Sequence, residues 1–503
     1  MTRLSFRPIL LPLGILASCF AVAATARGQG GNIDLKPFML ETRQPNSDDT
    51  QRMNDLHDGK LRTVGPDAAK NKEVFKHFAQ LLIYPVTQPQ YYQTSDTGEL
   101  KPRPASNNLD SVLSDIDHYL LVPDGTNRLT LDQADYVDGF GAALDQALVT
   151  VLTGKPGTPT IIRVNAGRFM AKVARSGAPA IAKTVLTILN NQFYKVGGKA
   201  VETPPDLLFY ALKSAEGLLA AYDIRVPQAG LTAGKHSIPE RDLISLVQVL
   251  ELLVLKGPPV ADKAAIINAS TKPKPVAPAV QDPMGGAVPP VQPAPNADQP
   301  MGKLDAAPAP LTHDQEVVVT YYRRQAIRAL AKVRFDVIGG QGGLPEVRPA
   351  WTLARIAVID ASLDFIPTTA EIGDAVIGLA SLYPTGALNV DELLSVIARG
   401  TVLFVREKLA GIGDKTVPWK VYAARLNLAL AGMRKLSLTN LQLRPQGGMV
   451  GGLAGVIIGD VLAPIERESV GARPSIDRLN NWIAQNTPKI QPAVCTTTTP
   501  STN

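Results

Sequence analysis

Few residues in this chain are spaced for chemistry. Its five histidines, His57, His77, His118, His236 and His313, are more than five residues from one another, so neither an H-x-x-x-H helix pair nor an H-x-H strand pair exists for a transition metal. From Asp314 to Asn503 there is no histidine, which excludes a Ser-His-Asp or Cys-His site confined to the second half. Asp110, Asp115, Asp117 and His118 form the densest group of potential ligands, in NLDSVLSDIDHYLL. Helical spacing gives Asp110 and Asp117 a common polar face opposite Leu109, Val112, Leu113, Ile116 and Leu120, and we read it as a solvated face rather than a cation site. Val196-Gly-Gly-Lys199 lacks the glycine spacing of a P-loop, and no G-x-S-x-G elbow occurs. No metal and no cofactor are expected, and binding is favoured over catalysis.

The most distinctive charged feature lies between Arg399 and Arg444. Nine Lys and Arg stand there against Glu407 and Asp414, a local excess of +7 that exceeds the +6 of the whole chain. Arg399, Arg406, Lys408, Lys420, Arg425, Arg434 and Lys435 are the candidate binding residues, with Phe404, Trp419 and Tyr422 interleaved. On one surface they would attract an acidic protein, an anionic envelope polymer or a phospholipid headgroup.

The elements that must position these residues are helical. Apolar residues recur at spacings of three and four through Val74–Leu82, Leu109–Leu120, Val137–Val151, Val164–Val173, Ile181–Phe193, Leu207–Tyr222 and Leu243–Leu255. The pattern resumes at Glu316, where Val319, Tyr322, Ala326, Leu330 and Val333 line one face and Arg324, Arg328 and Lys332 another. It continues through Trp351–Phe365, Ile372–Leu382, Leu393–Leu409 and Trp419–Leu436. Between the two series, Gly257 to Thr312 holds 13 prolines in 56 residues and no aromatic residue. Such a segment cannot bury enough apolar surface to offset its ordering entropy, and it reads as a disordered, partly polyproline spacer. It either separates two domains or interrupts one array.

The ends of the chain differ from this pattern. Arg3 and Arg7 precede an apolar run from Ile9 to Val22, followed by Ala24-Thr25-Ala26. This is the layout of a secretory signal peptide over 1–26, cleaved before Arg27. The run has about 14 residues where roughly 20 are needed to span a bilayer. The alternative is Leu16-Ala17-Ser18-Cys19 read as a lipobox, with a lipid on Cys19 as the only expected route to a membrane. Export makes the protein periplasmic or extracellular and leaves a mature charge of +4, two less than the whole, with no nucleic-acid partner expected. Cys495 would then lack a disulfide partner. Residues 27–71 read as a polar, partly disordered lead-in, and 487–503 as a disordered Thr-rich tail. Gly447, Gly451, Gly455 and Gly459 recur every four residues, in an uncharged stretch too short to span a bilayer. They predict a tightly packed terminal helix or a glycine loop.

These patterns together predict an all-α fold with an N-terminal helical repeat domain at 72–256 and a C-terminal helical domain at 313–486. Successive helices start about 20 to 27 residues apart, so a pair takes roughly 40 to 47 residues. Thr320-Tyr-Tyr-Arg-Arg-Gln-Ala-Ile-Arg-Ala-Leu-Ala-Lys-Val333 resembles the second helix of a HEAT repeat. By that resemblance the chain is similar to α-solenoids of the HEAT and armadillo type, antiparallel helix pairs stacked into scaffolds. The resemblance implies a binding or scaffold protein of the cell envelope with a protein or anionic polymer as partner. The competing expectation is an envelope polysaccharide hydrolase or lyase of α/α architecture, which the low aromatic content of 5% disfavours.

Overall fold

The structure, a computed structural model, describes residues 36–94, 100–102, 109–122, 129–153, 158–190, 194–196, 199–201, 203–225, 236–257, 313–340, 343–410, 417–467 and 474–486. The export signal with Cys19, the body of the proline-rich segment and the tail with Cys495 lie outside the described residues. The described chain is mostly helical, as the periodicity predicts. Its helices are α1 (Ser47–His57), α2 (Ala68–Ile83), α3 (Leu109–Tyr119), α4 (Leu131–Thr153), α5 (Thr160–Ala174), α6 (Pro179–Leu189), α7 (Pro205–Arg225) and α8 (Glu240–Lys256). Beyond the proline-rich segment come α9 (His313–Leu330), α10 (Pro349–Ala357), α11 (Thr369–Ala380), α12 (Val390–Leu409), α13 (Trp419–Leu436), α14 (Gly447–Val456), α15 (Ala463–Arg467) and α16 (Asp477–Asn486). A π-helical stretch, Ile457–Leu462, joins α14 to α15. The named strands are two short antiparallel hairpins, Tyr92–Thr94 with Leu100–Pro102 and Tyr194–Val196 with Lys199–Val201.

Local chemistry fixes where the helices begin. Asn46 accepts a hydrogen bond from the Asp49 amide to start α1, and Asn389 does the same from Asp391 for α12. Thr368 and Glu371 form a reciprocal capping box at α11. Prolines open α6 and α10, where a missing amide hydrogen costs nothing. Gly257 closes α8 with φ +77°, a conformation that favours glycine.

Two departures from the periodicity have physical causes. The lead-in expected to be extended contains α1, because two apolar residues suffice when both are completely buried: Met53 and Leu56 seal the end of the core under a capped helix. The segment Trp351–Phe365 is helical only to Ala357. Ile359 adopts a left-handed φ of 55°, which breaks the helix although the apolar spacing continues.

The packing follows one rule. From α2 to α12 each even-numbered helix packs on the next even one, and from α3 to α13 each odd-numbered helix packs on the next odd one. Cross-contacts tie α4 to α5, α6 to α7, α8 to α9 and α10 to α11. The two rows share one apolar core running from Met53 to Leu479. Helices on either side of the proline-rich segment meet directly. Thus α9 packs on both α7 and α8, Tyr322 Oη donates to the Pro205 carbonyl at 2.8 Å, and Thr352 Oγ1 donates to Glu251 Oε1 at 3.0 Å. Cutting the backbone at an engineered protease site within 258–312 should therefore leave the fragments associated. Size-exclusion chromatography after cleavage should give one peak at the uncut volume and two bands on a denaturing gel.

Candidate functional site

The odd row places its charged groups around α11. All twelve residues of this helix are buried, including two carboxylates one turn apart. Glu371 takes a bidentate contact from Arg323 of α9, at 2.7 and 3.2 Å. Asp374 takes Arg324 of α9 at 3.3 Å, Arg425 of α13 at 2.9 Å and the Tyr422 hydroxyl at 2.8 Å. Burial, with Asp374 adding to it, raises the Tyr422 pKa, so the phenol stays protonated and can donate to the carboxylate. Room for this cluster comes from Gly373, where an added Cβ would lie 2.7 Å from the Phe404 ring and 2.9 Å from Tyr422.

Beside this cluster lies a groove of about 540 Å³ along α5, α7 and the end of α9. Arg168 and Lys172 come from α5 and Arg175 from its C-cap; Phe209, Tyr210, Lys213 and Glu216 come from α7; Lys332 lies just beyond α9. The floor is made of small residues, Ala171, Gly217 and Ala220. Some of the cations are answered: Arg168 pairs with Asp110 at 2.9 Å, and Lys172 pairs with Asp117. Glu216 is the groove's one carboxylate, and it is shared between Lys213 at 3.1 Å and Arg328 at 3.3 Å. The Nε of Arg328 is buried and has no hydrogen-bond partner among the described residues.

The electrostatics of the groove favour an arriving anion. Burial lowers the pKa of Lys213, and Arg328 pushes the same way against the pull of Glu216. Burial also lowers Lys332, with Arg425, Arg328 and Arg334 adding repulsion. Burial would raise Glu216, but Lys213 and Arg328 outweigh it and hold the carboxyl low. The groove thus concentrates positive charge that its own carboxylate does not neutralise, in a partly desolvated place where charges are felt more strongly than in water. One carboxylate already bound to two cations does not provide the separate acid and base of a glycosidase.

The structure divides the seven binding residues expected from sequence. Arg399 and Arg406 are exposed on α12, in the even row, and Lys408 is half-buried there, 5.9 Å from the Trp419 ring. Lys420, Arg434 and Lys435 are exposed on α13, whereas Arg425 is turned to Asp374. They are thus carried by two helices, with Arg425 drawn into the α11 cluster. The groove cations were missed because Arg168, Lys213 and Lys332 are separated by more than forty residues at each step, and only the two-row packing makes them neighbours. A local signal existed in the four-residue spacing of Arg324, Arg328 and Lys332. The acidic group around Asp110 is spent on the ion pairs to α5, and among the described residues no three metal-ligating side chains converge. His57 and His118, far apart in sequence, stack at 6.4 Å, and His236 is buried with Nδ1 2.7 Å from Asp138. No family model, curated protein or solved structure matches this chain.

Two stability predictions follow from these carboxylates. Asp374→Ala leaves Arg324 and Arg425 facing each other without their shared counter-ion. It should lower unfolding free energy by about 3–5 kcal/mol, read as a lower midpoint in urea. In the even row, burial pushes Asp145 up to about 6 despite the Thr184 hydroxyl beside it, and its Oδ1 has no partner among the described residues. The folded state then binds more protons than the unfolded state between the ordinary carboxyl value and about 6, so stability falls as pH rises through that window and is flat above it. Asp145→Asn should remove that slope and stabilise the protein at neutral pH by at most about 3 kcal/mol, a limit set by the size of the shift. Melting temperatures of both proteins across acid to neutral pH check this.

Proposed function

We propose that this protein is an exported α-solenoid of antiparallel helix pairs that binds or scaffolds an anionic macromolecule of the cell envelope, with the groove on its odd row as the contact surface. The solenoid reading is supported by the packing rule, in which four successive helix pairs, α4–α5 to α10–α11, touch within the pair and each helix also touches the helix two places along. Stacked pairs do this, and a closed bundle does not. The export reading is supported by the signal-like residues 1–26, and the periplasm or the cell exterior follows from it.

The observation that carries the binding reading is the unneutralised charge between α5, α7 and α9. Arg175, Lys213 and Lys332 line the groove with Glu216 as its one carboxylate, Arg328 also draws on that carboxylate, and Lys213 and Lys332 have lowered pKa values. An anionic group placed in the groove would relieve the mutual repulsion of its cations. Phe209 and Tyr210 give the groove an aromatic wall, suited to a polymer that carries apolar as well as charged surface.

The experiment is retention on an immobilised anionic polysaccharide, with a neutral polysaccharide as control, over a salt series. Wild type should bind the anionic matrix alone and elute as the screening length falls below about 10 Å. Arg175→Glu with Lys332→Gln should weaken retention about tenfold or more, with unchanged circular dichroism. Reversal of Arg399 and Arg406 to Glu, on the other row, should have little effect. Equal retention of all three proteins would remove the groove as the contact surface.

A further inference from the structure

We propose that the outer face of α13 docks on an anionic lipid surface. This goes beyond the groove reading and uses different residues. Helix α13 is apolar on both sides. Its inner side, Trp419, Tyr422, Leu426, Leu430 and Met433, is buried in the core. Its outer side carries Val421, Ala424, Leu428 and Ala431, spaced by three and four residues, all exposed. Val421 is 54% and Leu428 76% exposed, and the turn that follows leaves Leu438 at 74% and Leu441 at 80%. An apolar stripe on a surface helix normally faces the core. This second stripe faces outward, and Val421, Leu428, Leu438 and Leu441 are among the most exposed large apolar residues in the described chain.

The surroundings of this stripe say what covers it. Lys435 ends the stripe, Lys420 and Arg434 border it, and Arg444 is exposed at the start of the next helical stretch. From Lys415 to Gly459 the sequence has six cations and no Asp or Glu. A second copy of this chain would bring two such faces together and set cation against cation. Lys is also depleted at protein interfaces. An anionic bilayer fits both features: each Lys or Arg near the surface gains about 1 kcal/mol, and leucines on such a helix enter the headgroup boundary by roughly 5–10 Å. The neighbouring helix extends the same chemistry. Of the four glycines expected to allow tight packing, Gly451, Gly455 and Gly459 would each meet only open space if a Cβ were added, and Gly447 would meet only Ser437, at 3.9 Å. The stretch Arg444–Arg467 has a mean hydropathy of 1.8 with 39% of its apolar window buried. This end of the array is thus open, apolar and free of carboxylates as far as Gly459.

The test is co-sedimentation of the full chain with vesicles of phosphatidylglycerol and phosphatidylcholine, against vesicles of phosphatidylcholine alone. Wild type should bind the anionic vesicles about tenfold better. Leu428→Ser with Leu441→Ser, both at solvent-exposed positions, should cut that binding on the order of tenfold. Lys420→Gln, Arg434→Gln and Lys435→Gln together should abolish the preference for anionic lipid. The groove variant Arg175→Glu with Lys332→Gln should bind vesicles like wild type, which separates this face from the groove. The proposal is overturned if the leucine variant binds as wild type does, if the groove variant is the one that loses binding, or if wild type is a dimer that the leucine variant breaks without any lipid dependence.

Discussion

Glu371 and Asp374 lie one turn apart on a helix with no exposed residue, and a carboxylate in such a place must be met by cations or it will not remain charged. Three helices are bound by that requirement. Arg323 and Arg324, adjacent in α9, diverge to reach the two acids separately, while Arg425 and Tyr422 reach Asp374 from α13. The helix that reaches both acids, α9, is also the one that packs on α7 and α8, so it links the cluster to the helices before the proline-rich segment. A buried pair adds little net stability over apolar residues of the same shape. Its effect is on arrangement: a shift of α9 by one residue along α11 would leave two buried charges without partners.

That arrangement also decides which cations are left without a close carboxylate. Arg324 and Arg328 lie one turn apart on α9 and Lys332 just beyond its end, and the three differ in what they meet. Arg324 is held by Asp374 and the Tyr422 hydroxyl, Arg328 shares Glu216 with Lys213, and Lys332 makes no ion pair among the described residues. Neutralisation therefore declines along the helix from the α11 cluster toward the groove. The groove is basic because its acids are used elsewhere, Asp374 in the cluster and Asp110 and Asp117 in anchoring α5.

The helices were legible in the sequence because each must bury one face, and burial writes a period of three and four into the chain whatever the neighbour is. The breaks were legible where proline, glycine or a capping residue marks them, as at Thr368 and Gly257. Periodicity failed where a single backbone angle overrode it, at Ile359, and where burial needed only two residues, Met53 and Leu56. The site was less legible, since a local charge excess does not show which way each side chain turns. Of the basic residues on α13, Arg425 faces the core cluster and Lys420, Arg434 and Lys435 face solvent. One run of sequence thus serves two surfaces, and the groove draws on three helices that no local window contains.

The uneven distribution of acids bears on what the array is for. Wherever two helices must be held, a carboxylate stands opposite the cation: Asp110 for Arg168, Asp117 for Lys172, Glu371 for Arg323. Lys332 is treated differently. It is half-buried beside Arg425, Arg328 and Arg334, and Glu216 is the acid that acts on it. For folding alone, an acid on the facing surface of α7 would be the better residue, because it would remove a repulsion that lowers the lysine pKa. The fold pairs Arg168, Lys172 and Arg323 in this way and leaves Lys332 without an ion pair among the described residues, an arrangement in keeping with the proposed reading, in which the counter-charge arrives from outside.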